Sequence, residues 1–71
     1  MENNVKYYRL LKGLNQTELG LLCGLSQNSI SSIERGEFNP MLITANDIAN
    51  ALDVSIFELF YLDGHAEQFY Y

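Results

Sequence analysis

Residues 16–35, QTELGLLCGLSQNSISSIER, carry an apolar pattern that two short helices crossing over a tight turn would bury. Leu19 and Cys23 stand i, i+4 on the first helix, and Ile30 and Ile33 stand i, i+3 on the second. Leu25, between them, is placed to plug the gap. Gly24 supplies the reversal of the chain, and Gly20 suits the crossing point because it has no side chain to hold the second helix away. The helix starts are marked as well. Asn15 with Glu18 makes an N-cap and capping-box pattern, and Ser26 is a favourable N-cap for the helix that follows.

The rest of the chain reads as helix too. Gly13, Gly24, Gly36 and Gly64 each follow a helical segment, where a left-handed residue ends a helix. The pattern predicts helices at 4–12, 16–23, 27–35, 41–52 and 56–62, and no strand pattern competes, so the expected fold is all-α. In the fourth helix Leu42, Ala45, Ile48, Ala49 and Leu52 form a core stripe, with Pro40 pre-set for a first turn. Ser55 and Glu58 repeat the capping box before the fifth, where Leu59 and Phe60 are expected to cap the core.

A chain of 71 residues is expected to form one domain, 1–71, ending in an aromatic tail at about 64–71. So small a core makes oligomerisation a natural source of extra stability. No apolar run approaches the roughly 20 residues needed to cross a bilayer. The start, MENNVKYYRLL, lacks the cationic and apolar regions of a signal peptide, so a cytoplasmic location without membrane contact is expected. Cys23 is the single cysteine, with no CxxC or histidine cluster around it, and reads as a buried core thiol; no metal site is expected. His65 stands alone in a polar tail, and no nucleophile has a base at suitable spacing. An enzyme is therefore not expected, nor any catalytic residue or cofactor, nor, with one domain, a small-molecule ligand.

The net charge of −5 at first opposes nucleic-acid binding. Its distribution changes that reading. All four bases, Lys6, Arg9, Lys12 and Arg35, lie in residues 1–36 beside three acids, whereas residues 37–71 hold six acids and no base, giving halves of +1 and −6. A molecule so polarised can present its basic half to DNA and turn the acidic half away, with weak long-range steering.

The stretch KGLNQTELGLLCGLSQNSISSIERGEFNP, continued by ANDIANALDVSIFELF, resembles the phage repressor and Cro-type (XRE-like) family of helix-turn-helix DNA-binding domains, over about residues 3–62. The resemblance implies a compact five-helix bundle of the lambda repressor type, with the motif at 16–35 and its second helix in the major groove. A helix entering that groove end-on exposes its first residues, so Gln27, Asn28, Ser31 and Ser32 are expected at base edges. Gln and Asn amides match adenine N6 and N7, and serine hydroxyls add less discrimination. Gln16 opens the first motif helix, whose free N–H groups suit a phosphate oxygen; in the family a Gln here touches the DNA backbone. Lys12, Asn15, Ser29, Arg35 and Asn39 complete the expected backbone contacts, Ser29 alternatively supporting the helix start. The family pattern also implies a largely buried ion pair between Arg9 and Glu34.

Several positions that are usually polar in this family are apolar here: Leu10, Leu11, Leu21, Leu22, Ile43 and Phe57. Phe57, Tyr61, Phe69 and Tyr70 are candidates for a dimer or partner interface. Dimerisation would set two recognition helices roughly 34 Å apart on a pseudo-palindromic operator. The leading expectation is thus a sequence-specific, homodimeric transcriptional repressor acting on double-stranded DNA. The alternative is a protein-interaction module of the same fold, an antitoxin or an antagonist of another regulator.

Overall fold

The computed structural model describes residues 3–60. Its helices are α1 (Val5–Leu11), α2 (Gln16–Cys23), α3 (Gln27–Glu34), α4 (Leu42–Leu52) and α5 (Ile56–Leu59). Tyr61, Phe69 and Tyr70, the expected end of the fifth helix at 61–62 and the tail at 64–71 lie outside the described residues.

α2 packs on α3 and α4, α1 rests on α3 and α4, and α5 closes against α4. Val5, Leu19, Ile30, Ile33, Ala45, Ile48, Ala49, Leu52, Leu59 and Phe60 fill the centre. Each apolar stripe read from the sequence contributes to this core, because residues three and four apart share a helix face. Leu25 packs against it from the turn, as does the half-buried Cys23. The expectation of a buried core thiol is thus corrected in degree: Cys23 packs at the core's margin, where its Sγ donates to the Leu19 carbonyl. Partial burial, helped by the charge of Asp47, still raises its pKa and so disfavours the reactive thiolate.

The caps explain where the helices begin. Asn15 accepts from the Glu18 backbone at 2.7 Å while Glu18 accepts from the Asn15 backbone at 2.8 Å. Ser55 and Glu58 repeat the arrangement at α5, and Ser26 caps α3 through the Ser29 backbone N–H. Two ends differ from the sequence expectation. Pro40 is buried and precedes Met41, the N-cap of α4, so it packs into the core instead of forming the first turn. α4 ends on Asp53 with φ 59°, a left-handed position taken here by a short polar residue where α1, α2 and α3 are each followed by a glycine. An isolated antiparallel bridge between Asn3 and Phe60, with Asn4 N–H donating to Leu59 O at 2.7 Å, ties the start of α1 to the end of α5.

Gly20 is required by a close approach, though not the expected one. A Cβ there would collide with the carbonyl oxygen of Leu25, which belongs to the turn and not to the second helix. That backbone is held in place by the Leu25 N–H, which donates to Gly20 O at 2.8 Å. Gly20→Ala would gain up to about 1 kcal/mol of helix propensity but force a shift costing about 1–3 kcal/mol. The expected outcome is net destabilisation, read as a lower urea midpoint; a midpoint at or above the parent's would show that the turn yields freely.

Candidate nucleic-acid interface

The geometry of α3 is set from beneath by a chain of polar groups. Arg9 on α1 donates from Nε to Glu34 Oε2 at 2.6 Å and from Nη2 to Oε1 at 3.1 Å, a two-pronged bridge whose side chains are 8% and 4% exposed. Its remaining guanidinium nitrogen, Nη1, donates to Leu14 O at 2.8 Å. Gln16, at the start of α2, donates to the same Glu34 Oε1 at 3.0 Å. Gln27, at the start of α3, then donates to Gln16 Oε1 at 2.6 Å. A buried charge is thereby connected through one amide to another that stands exposed at the tip of α3. No buried side-chain nitrogen or oxygen among the described residues lacks a partner.

A second cluster occupies the far end of α3. Arg35 pairs with Glu37 through Nε at 2.9 Å and Nη2 at 3.1 Å, and also donates to the hydroxyls of Ser31 and Ser32. The hydrogen bond from Arg35, and secondarily the charge of Arg35, hold the Glu37 carboxyl below its usual range, and the same hydrogen bond with the charge of Glu37 pushes the guanidinium up. This exposed pair therefore breaks only as pH falls through that lowered value, and it contributes little to stability.

A helix-turn-helix family model matches residues 5–59. The chain belongs to the helix-turn-helix family. A protein described as an uncharacterized HTH-type transcriptional regulator of Methanocaldococcus jannaschii is 40% identical over 60 residues, 84% of this chain and 91% of the relative. Among solved structures, the restriction-modification controller protein C.AhdI from Aeromonas hydrophila matches with a TM-score of 0.75 at 38% identity, over 79% of this chain and 85% of that one. A chain of the SinR protein/SinI protein complex matches with a TM-score of 0.74 at 33% identity, over 87% of this chain and 60% of its own. This member of the family is a transcriptional regulator with a helix-turn-helix DNA-binding domain, not an enzyme.

In this helix-turn-helix unit the structure joins Gln16 and Gln27, and separately Ser31, Ser32 and Arg35. Asn28 is exposed on α3, one turn before Ser32. Ser29 supports the helix start: its backbone N–H donates to Ser26 Oγ at 3.1 Å, and the two hydroxyls lie 3.0 Å apart. Asn15 spends its side-chain oxygen on the α2 cap, and Asn39 is exposed in the loop before Pro40. Lys12 is drawn elsewhere, its Nζ 3.9 Å from Asp53 at the end of α4.

Two residues escaped the sequence reading. Glu37 belongs to the acidic half of the sequence, yet it pairs with Arg35 at the end of α3. Phe38 lies beside Asn28, Ser29 and Ser32 and is 53% exposed. Gly36 at φ 75° turns the chain, and Glu37 N–H donates back to Ser32 O at 3.0 Å, which returns this segment to α3. A glycine directly followed by an exposed acid and an aromatic was the available signal.

The bridge makes a sharp prediction. Arg9→Met leaves Glu34 buried without its cation and should cost about 3–5 kcal/mol, whereas Arg9→Met combined with Glu34→Leu should recover most of that loss. Urea denaturation of both variants measures the difference; equal losses would mean that no buried charge had been stranded.

Proposed function

We propose that the protein is a homodimeric repressor that reads a pseudo-palindromic operator through α3, acting as a single-domain cytoplasmic regulator. The observation that carries this reading is the Glu34–Gln16–Gln27 chain. It holds the Gln27 amide at the tip of α3 before any ligand arrives, so little side-chain freedom is lost on binding. One Gln27 amide hydrogen is used on Gln16. The second, with the amide oxygen, supplies the donor and acceptor that adenine N7 and N6 require. Asn28 offers the same pair one residue on, and Ser31 and Ser32 add hydroxyls. Gln16, Lys12, Asn15, Ser29, Arg35 and Asn39 are the proposed phosphate contacts, with Lys12 and Arg35 exchanging Asp53 and Glu37 for the backbone.

Dimerisation is supported by an unusual amount of exposed apolar surface. Phe57 is 73% exposed on α5, and Leu10, Leu11 and Ile43 are also exposed. Two half-sites held by one dimer gain by effective concentration, which offsets a shortage of basic groups. A second reading has its own observation: Leu21 and Leu22 on α2 are 80% and 61% exposed. They would suit a protein partner, an antitoxin's target or another regulator, and one structural neighbour is a chain of a protein–protein complex.

The test is selection from a random duplex library at low salt, with the mass of free and bound protein recorded. A two-fold symmetric site bound by a dimer is the expected result; no enrichment at any salt would transfer the reading to the protein-interaction module. On the recovered site, Gln27→Ala and Asn28→Ala should each relax base preference at one position by about 1–3 kcal/mol. Glu37→Gln, by releasing Arg35, should tighten binding about two- to fivefold at low salt. Unchanged selectivity in both alanine variants would contradict base reading by α3.

A further inference from the structure

Phe38 poses a problem that DNA reading by α3 alone does not solve. Pro40, two residues on, is buried, while Phe38 stays at the surface. Together with Asn28, Ser29 and Ser32 it lines an open hollow of about 230 Å³ on the motif. Its walls thus combine one amide, two hydroxyls and one apolar ring. Glu37 N–H bonded to Ser32 O holds the segment that carries the ring against α3.

The edge of a base pair in the major groove offers a matching mixture. An A·T pair presents adenine N7 and N6, thymine O4 and the thymine C5-methyl group. The Asn28 amide and the Ser32 hydroxyl serve the polar atoms, and the methyl is the one apolar feature that a phenyl ring recognises in that groove. We propose that Phe38, with Asn28 and Ser32, forms a receptor for a pyrimidine C5-methyl group, making Phe38 a specificity-determining residue. The inference rests on the reading of α3 as the DNA-reading helix. A C5-methyl reaches the groove on thymine or on 5-methylcytosine, and the hollow responds to the group common to both.

The experiment uses the full chain and the site recovered by selection. Each dT is replaced singly by dU, which removes only the methyl, and each dC by 5-methyl-dC, which adds only the methyl. Binding is measured by fluorescence anisotropy for the parent, Phe38→Ala and Phe38→Leu. The parent should lose about fourfold at one position per half-site on dT→dU, or gain about fourfold on 5-methyl-dC, the worth of one buried methyl. The first result assigns thymine and the second methylated cytosine. Phe38→Ala should show neither response at that position and Phe38→Leu a partial one. Because Phe38 is largely outside the core, an unchanged urea midpoint is expected for both variants. A parent indifferent to every methyl, or a Phe38→Ala variant with the parent's ratio, overturns the inference while leaving α3 as the reader. Recovery of no site overturns both.

Discussion

One guanidinium joins the parts of this protein that have to keep their angle to one another. Arg9 reaches from α1 to Glu34 on α3 and to the Leu14 carbonyl in the loop before α2, and Gln16 adds α2 through the same carboxylate. Apolar side chains in place of both partners would be less costly to bury, since desolvating two charges cancels most of their attraction. What the pair supplies instead is direction. A guanidinium and a carboxylate with two fixed hydrogen bonds accept a narrow range of geometries. Apolar packing alone tolerates sliding. The angle of α3 is therefore determined by a polar contact inside an otherwise apolar arrangement.

That contact also links the interior to the surface. The Glu34 carboxylate holds Gln16, and Gln16 holds Gln27, so the exposed amide at the start of α3 inherits its position from the buried pair. For a chain of net charge −5 this matters. Long-range attraction to phosphate is weak, so side chains placed in advance count for more. Charge is used sparingly: Arg9 is buried, Arg35 faces Glu37 and Lys12 lies near Asp53. Among the described residues the basic and acidic halves of the sequence meet in space at two points, because Gly36 brings Glu37 back onto the end of α3 and Asp53 at the end of α4 lies near Lys12.

Local rules accounted for most of the fold. The boundaries of α2 and α3 follow from Asn15, Ser26 and Gly24, and the core stripe of α4 from apolar spacing, since caps and periodicity act within one or two turns. Where the reading departed from the structure, a partner distant in sequence was responsible. Pro40 lies buried ahead of the α4 N-cap instead of in the first turn, and its burial depends on elements far from it in sequence. Gly20 is needed for the Leu25 carbonyl, a contact that depends on how the turn folds back. The Asn3–Phe60 bridge joins the two ends of the described chain, and no local pattern announces it.

The sequence by itself determined the helices, their caps and the choice of buried faces, because each of these depends on residues within a few positions of one another. It also marked the amides on α3 as exposed and polar. Only the tertiary structure decided which polar groups touch: that Gln16 couples Glu34 to Gln27, that Arg35 is held by Glu37, and that Phe38 shares a hollow with Asn28 and Ser32. Hydrogen bonds between side chains on different elements depend on distances of a few tenths of an ångström. Those distances are set by the packing of the whole bundle, and no spacing along the chain encodes them.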